Sequence, residues 1–183
     1  PRAAAAARAD AGAAGRSAVV NRLRVIVALV AALVLQALLG RVWPEAPRFV
    51  DVLIVPVVWQ GIAGSQLSAM FTGCAAGLMQ DAWLEAGAFG INGFKKTLLG
   101  WVLGGIGSRF DLNRPPGRLL GGTAFSLADQ ALDLALRRLL DLQPTPVAPL
   151  DTLIRAAVTG VLVASAFGLG QRAGGGERLR HSL

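Results

Sequence analysis

The chain has 183 residues and a formal net charge of +7, with 54% hydrophobic residues and only 16% charged ones. This composition excludes an ordinary soluble domain, and the basic residues are not interleaved with aromatics as a nucleic-acid surface would require. They lie mainly near the chain ends, where anionic lipid headgroups would attract them. We therefore predict an all-α polytopic membrane bundle of about six transmembrane helices, because spans of about 20 residues would use up this length.

The amino-terminal region consists of alanines and scattered arginines, followed by a strongly apolar run. We interpret residues 1–21 as a flexible cytoplasmic tail, with a poly-alanine helical extension as the alternative. The first predicted span runs from Leu23 to Val42. Arg22 and Arg24 flank one end and Trp43 flanks the other, which is typical of interfacial anchors.

Two further apolar runs follow. The second predicted span, Val50 to Ala63, is short and contains Pro56, so we expect it to be kinked or tilted. The third, Leu67 to Leu84, ends in the acidic and aromatic residues Asp81, Trp83 and Glu85.

The fourth and fifth predicted spans carry charges at membrane depth. The fourth, Ala86 to Gly107, contains Lys95 and Lys96, with Asn92 one turn earlier. The fifth, Leu119 to Leu140, carries a polar stripe at spacings of three and four residues: Thr123, Ser126, Asp129, Gln130, Asp133 and Arg137. A charge at the bilayer centre costs about 2.5–3.5 kcal/mol, so the stripe should avoid lipid.

These charges can neutralise one another. Asp133 and Arg137 are four residues apart and can pair on one helix face. We also predict that Asp129 or Asp133 faces Lys95 or Lys96 across a helix interface, because an unpaired buried charge is strongly destabilising.

Two alternatives for the charges stay open. The fifth segment could instead lie in the membrane interface with its stripe toward water. The lysines could instead extend to a surface, which is easier if Gly90 and Gly93 break the fourth helix.

The last apolar run, Leu150 to Leu169, is followed by a basic, glycine-rich segment. Residues 22–171 are thus the predicted transmembrane helical domain, and 172–183 a basic cytoplasmic tail. Under the six-span arrangement, arginines are concentrated on the side that holds both termini. The positive-inside rule then places both termini in the cytoplasm.

Small residues recur four apart in the third and fourth spans, as Gly73 with Gly77 and Gly100 with Gly104. Such spacing lets helix backbones approach closely. The pattern is explained either by packing within the bundle or by a groove that docks a partner's single helix.

Catalytic machinery is not indicated. The single histidine, His181, lies in the carboxy-terminal tail, so a nucleophile and histidine pair cannot form within the bundle. Asp81 and Glu85 lie four apart at a helix end, where capping or solvation explains them better than acid and base chemistry. We expect no cofactor, no metal and no enzymatic activity.

One stretch resembles a known family. It contains Gly77, Leu78 and Asp81 at the end of one span, Phe89 and Gly90 before the next, and Gly100 and Gly104 within it. This pattern resembles the rod shape-determining protein MreD family. The motif covers about a sixth of the chain. The Lys95 and Lys96 pair departs from the mostly apolar character of that region in the family.

The resemblance implies a noncatalytic protein of the bacterial inner membrane that maintains cell shape within the cell-elongation complex. The implied partners are MreC, the MreB filament system, the glycosyltransferase RodA and its penicillin-binding transpeptidase. The implied fold is similar to the substrate-binding subunits of energy-coupling factor transporters. The alternative is a transporter-like subunit that binds a small molecule or lipid in a polar cavity formed by the charged residues of the fourth and fifth spans.

Overall fold

A computed structural model describes residues 2–83, 89–109, 114–142 and 148–180. These residues form helices and no strand, which confirms the all-α prediction for this part of the chain. The helices, in chain order, are α1 Arg2–Val42, α2 Ala46–Phe49, α3 Ile54–Ala63, α4 Gln66–Trp83, α5 Ile91–Gly107, α6 Pro115–Leu139 and α7 Pro149–Arg180.

Both terminal helices extend beyond the predicted spans. α1 begins at Arg2, so the region interpreted as a flexible tail is helical, as the poly-alanine alternative proposed. Alanine has the highest intrinsic helix propensity, which accounts for this extension. α7 likewise continues to Arg180, into the predicted basic tail.

The second apolar segment is broken rather than kinked. Phe49 ends α2, Val50 is extended, and α3 begins at Ile54. Pro56 is the third residue of α3, in the first turn, where the missing amide removes no helical hydrogen bond. The predicted kink at this proline is therefore wrong, and the interruption lies before the helix.

A glutamine of α1 stabilises this break. The Gln36 side chain is 2% exposed. Its Nε2 donates to the Val50 carbonyl at 2.9 Å, and its Oε1 accepts from the Val52 amide at 2.8 Å. The Leu53 amide donates to Asp51 Oδ1 at 3.1 Å. Irregular backbone is thus bonded to protein, as non-helical segments inside a membrane require.

α4 and α5 form a hairpin at the positions of the predicted third and fourth spans. α5 begins only at Ile91, after Gly90 with a φ of 97°, in the left-handed region that glycine adopts without strain. Gly93 lies inside α5 and does not interrupt it. Glu85 lies outside the described residues.

α6 and α7 form a second antiparallel hairpin. Pro115 and Pro116 occupy the first positions of α6, where proline is favoured. The polar stripe of α6 is turned into the protein, with Ser126 fully buried and Asp129 only 2% exposed. This is the arrangement expected if the stripe avoids lipid, and not that of a helix with its stripe in water.

The exterior of the molecule is apolar over much of the described surface. On α1, Leu23, Val27, Val30 and Val34 are each about half exposed, at 48–59%. Among the described residues, two segments are long and apolar enough to cross a membrane: Val20–Val42, with a mean hydropathy of 2.4, and Pro149–Gly168, with 1.5. The helices over the other four predicted spans do not reach that combination of length and hydropathy.

A buried ion cluster as the candidate functional site

The deepest charged contact joins α5 to the broken segment before α3. Lys96 Nζ donates to Asp51 Oδ2 at 2.6 Å. The Lys96 side chain is fully buried and that of Asp51 is 1% exposed. Lys96 therefore does not extend to a surface, and its charge is neutralised by a residue outside the predicted polar stripe.

The neighbouring lysine contacts the stripe of α6. Lys95 Nζ donates to Asp133 Oδ1 at 2.8 Å and lies 3.6 Å from Asp129 Oδ2. Arg137 Nε donates to Asp133 Oδ2 at 2.8 Å, one helical turn away. The structure thus brings Lys95 to both predicted acids and places Arg137 on Asp133, while Lys96 binds neither.

Arg155 of α7 connects the two groups. One of its terminal nitrogens, Nη2, lies 3.5 Å from Asp51 Oδ2 and 4.0 Å from Asp129 Oδ2. We call the whole set the ion cluster, with the members Asp51, Lys95, Lys96, Asp129, Asp133, Arg137 and Arg155. Its four cations and three carboxylates have a formal charge of +1.

The ion cluster lies between the middle of the bundle and one of its ends. Lys95 is four residues from the start of α5 and Arg155 six from the start of α7, so both lie about 6–9 Å along their helices. Asp133 and Arg155 are each 20% exposed, whereas Lys96 is inaccessible. The cluster is therefore closed at Lys96 and partly accessible at Asp133 and Arg155.

Two predicted members of the polar set make their hydrogen bonds elsewhere. Asn92 Nδ2 donates to Asp81 Oδ1 at 2.9 Å. Gln130 Nε2 donates to the Ser126 and Thr152 carbonyls at 3.2 and 3.4 Å, joining α6 to α7. Both residues are structural links beside the ion cluster, not members of it.

Asp81 caps α5. Its carboxylate accepts from the backbone amides of Gly90 at 3.0 Å, Asn92 at 3.3 Å and Gly93 at 2.9 Å. These are the donors that a helix start leaves without partners, and a negative charge there is favoured by the helix dipole. The capping explanation for Asp81 is thus supported by geometry. The other motif residues near it, Leu78 and Phe89, are 40% and 71% exposed.

The predicted glycine pairs form the seam between α4 and α5. A Cβ at Gly73 would overlap the Lys96 carbonyl, and one at Gly77 would overlap the Asn92 carbonyl. Gly100 faces the Ala69 carbonyl and Gly104 faces the Gln66 backbone in the same way. All four glycines are occupied by packing within the chain, which is the first of the two explanations given for their spacing.

Three important residues were missed by sequence reasoning: Asp51, Arg155 and Gln36. Asp51 follows Val50 at the start of a largely apolar run, and Gln36 is the only polar residue between Arg24 and Arg41. Arg155 lies six residues inside α7 and within the predicted sixth span. A count of charges could have indicated a further acid. Lys95, Lys96 and Arg137 are three cations, whereas the stripe of α6 supplies two acids, Asp129 and Asp133.

Comparison with protein-family models, curated proteins and solved structures gave no match.

The chemistry available to the ion cluster is mutual neutralisation. Both lysine ammonium groups donate to carboxylates, and each acid faces at least one cation. One oxygen, Asp129 Oδ1, is buried without a hydrogen-bond partner. Interlocking charges on α5, α6, α7 and the α2–α3 break fix the relative positions of these elements, which is a structural function.

Proposed function

We propose that this chain is a noncatalytic, multi-pass membrane component of the bacterial cell-elongation machinery, of the kind that its resemblance to the MreD family implies. The observation that carries the proposal is the ion cluster inside a helical assembly with an apolar exterior, in which each acid faces a cation and both lysines donate to carboxylates. Charges used to hold helices together are not poised for reaction. Such a molecule acts by packing against membrane partners.

The arrangement of the motif residues also supports the resemblance. Gly77, Asp81, Gly90 and Gly100 all belong to one unit, the α4–α5 hairpin, in which glycines permit contact and Asp81 caps the second helix. These four motif positions therefore have a physical reason within the same local structure. In the proposal this hairpin is the rigid centre of the scaffold.

The proposed topology has six crossings, made by α1, the α2–α3 pair, α4, α5, α6 and α7. α4 and α5 are about 26–27 Å long and α6 about 38 Å, close to or above the roughly 30 Å of the hydrocarbon core. α3 alone is about 15 Å long, so it crosses only together with the preceding segment. In this topology the helices lie in the inner membrane and both chain termini lie in the cytoplasm.

A labelling experiment tests this topology. In a Cys74→Ser background, single cysteines replace exposed residues of alternate connections: Pro44 and Asp141 at one end, Ser65 and Arg109 at the other. An impermeant maleimide should label the first pair in cells with a permeabilised outer membrane, and the second pair only after lysis. Labelling of all four in intact inner membranes would contradict six crossings.

A complementation experiment tests the function. The chain is produced in a rod-shaped bacterium that lacks its own MreD, and cell width and length are measured. We expect restored rods and recovery of MreC, with RodA and its transpeptidase, in mild detergent. Round cells despite normal protein levels, or a retained small molecule without any protein partner, would contradict the scaffold and favour the transporter-like alternative.

A further inference from the structure

A narrow groove of about 470 Å³ separates α1 from α3. Three alanines and two larger apolar residues form most of the α1 wall, and Trp59 with apolar residues forms most of the opposite wall. The lining residues used below are Asn21, Arg24, Ala31, Leu35, Val52 and Gln60. No function described so far uses this groove.

The groove is polar at one end and apolar along the rest. Asn21 and Arg24 lie at the start of the apolar part of α1, and Gln60 lies opposite them near the end of α3. Leu35 and Val52 line the other end, where the bonds from Gln36 to the Val52 region join the two elements. Arg24 is exposed, so its charge is available at the polar mouth.

The length of the groove along α1 matches the thickness of one leaflet of a bilayer. Arg24 and Leu35 are eleven residues apart on α1, which is about 17 Å along the helix and close to half of the roughly 30 Å hydrocarbon core. A transmembrane partner helix would contact α1 along the full core. The groove instead begins at headgroup level and ends near the midplane.

The lining of the groove also favours a hydrocarbon chain. Apart from Asn21, Arg24 and Gln60 at the polar end, its walls are apolar. A hydrocarbon chain needs no hydrogen-bond partner, so it suits the apolar part of the groove.

The α3 wall is held in place by aromatic packing. The Trp59 ring stacks on Phe167 of α7, with 4.4 Å between ring centroids. The Arg118 guanidinium lies 4.7 Å from the centroid of the same phenylalanine. Phe167 thus positions Trp59, and Arg118 of α6 packs on Phe167, so this wall is held by contacts within the chain.

We propose that the groove binds one acyl chain of an anionic phospholipid from the leaflet at which α1 begins, with the phosphate at Arg24. The proposal rests on the membrane location of α1 that the proposed function includes, and it goes beyond that function by assigning a lipid site. A basic side chain near the surface favours an anionic lipid by a factor of about five. The phosphate selects the lipid, and the apolar groove holds its chain.

Native mass spectrometry of the full chain in detergent tests the proposal, with phosphatidylglycerol and phosphatidylcholine added in turn after delipidation. Arg24→Gln should lower the bound phosphatidylglycerol about fivefold and leave phosphatidylcholine unchanged. The matched control is Arg22→Gln, because Arg22 is exposed on the same turn and does not line the groove. An equal loss in both variants would mean general surface attraction and would overturn the site.

A second pair of variants tests the acyl chain. Ala31→Phe fills the groove from an exposed position, whereas Val34→Phe adds an aromatic ring to the 51% exposed face beside it. Ala31→Phe should abolish retention of both lipids, and Val34→Phe should leave it intact. Unchanged retention in Ala31→Phe with a normal melting temperature would overturn the proposal.

Failure of the lipid site can be separated from failure of the proposed function. If Ala31→Phe restores rods and recovers MreC as the unmodified chain does, but lipid retention never depends on the groove, only the lipid site is wrong. A crosslinking experiment at residue 31 compares two occupants, a partner's helix and a photoreactive phosphatidylglycerol. If it captures the helix and not the lipid, the groove is a protein interface and the lipid proposal is overturned.

Discussion

Gly73 and Lys96 face each other across the α4–α5 seam, with the Cβ position of Gly73 directly against the Lys96 carbonyl. The ammonium nitrogen of the same Lys96 lies 2.6 Å from Asp51 Oδ2, in the segment before α3. The glycine therefore sets the approach of α5 to α4 at the residue whose side chain binds Asp51. Close helix packing and the buried ion pair thus meet at Lys96.

The first prediction concerns this seam. Gly73→Ala should lower stability by about 1–3 kcal/mol, because the added methyl group meets backbone that cannot move away alone. Gly121→Ala is the matched control, since its Cβ would lie 3.8 Å from Ile62 Cδ1 and alanine favours a helix over glycine by about 0.5–1 kcal/mol. Thermal unfolding in detergent should show a loss for the first and no loss for the second. Equal behaviour would contradict the close seam.

The second prediction concerns the buried ion pair of Lys96 and Asp51. Lys96→Met leaves the Asp51 carboxylate buried without its closest cation, and Asp51→Asn leaves the Lys96 ammonium without an acid. Each should cost about 3–5 kcal/mol, and the double variant should lose less than the sum. Protein level in the membrane and melting temperature in detergent measure the coupling. Additive losses would show that the 2.6 Å contact contributes no coupling energy.

The charged interior could be predicted only in part. The spacing of Asp129, Asp133 and Arg137 on one helix face indicated a buried stripe. The lysine expected to face its acids is Lys95 in the structure. The Lys96 contact with Asp51 could not be found from periodicity. The two residues are 45 positions apart, and Asp51 reaches the interior only because the backbone is broken before α3.

The ends of the helices could also be predicted only in part. The apolar runs predicted where helices lie, because burial and membrane exposure both require apolar side chains. They did not predict the extended step at Val50, since its backbone groups are satisfied by Gln36 from another helix. They also placed the start of the fourth helix too early, because the cap that fixes it at Ile91 comes from Asp81 of α4.

The third prediction separates the two acids that face Lys95. Asp133 also accepts a hydrogen bond from Arg137 at 2.8 Å, whereas the next cation for Asp129 is Arg155 at 4.0 Å. Lys95→Met should therefore strand Asp129 more than Asp133. Adding Asp129→Asn should restore membrane accumulation of Lys95→Met, and adding Asp133→Asn should not. Equal rescue by the two would contradict this hierarchy.

The fourth prediction tests whether Asp81 caps or catalyses. Asp81→Ala removes the acceptor of three backbone amides at the start of α5, so we expect a loss of about 2 kcal/mol, the upper end of the range for a helix cap. Asp81→Asn keeps one acceptor oxygen and should lose less. Protein abundance and rod-shape complementation should fall together. Lost complementation at full abundance would instead indicate a chemical role for the carboxylate.

The fifth prediction concerns the break before α3. Gln36→Leu keeps the size of the side chain but leaves the Val50 carbonyl and the Val52 amide without their partners. Each buried amide group without a hydrogen bond costs about 1–3 kcal/mol on scales from protein variants. We therefore expect strongly reduced accumulation and a lower melting temperature in detergent.

Gln66→Leu is the control for this change, because Gln66 Nε2 donates to the Trp101 carbonyl at 3.2 Å in an exposed position where another partner can replace it. Its melting temperature should stay close to that of the unmodified chain. If Gln36→Leu is tolerated equally well, the break does not depend on the glutamine. Asp51 would then be positioned for Lys96 by the packing of α2 and α3 alone.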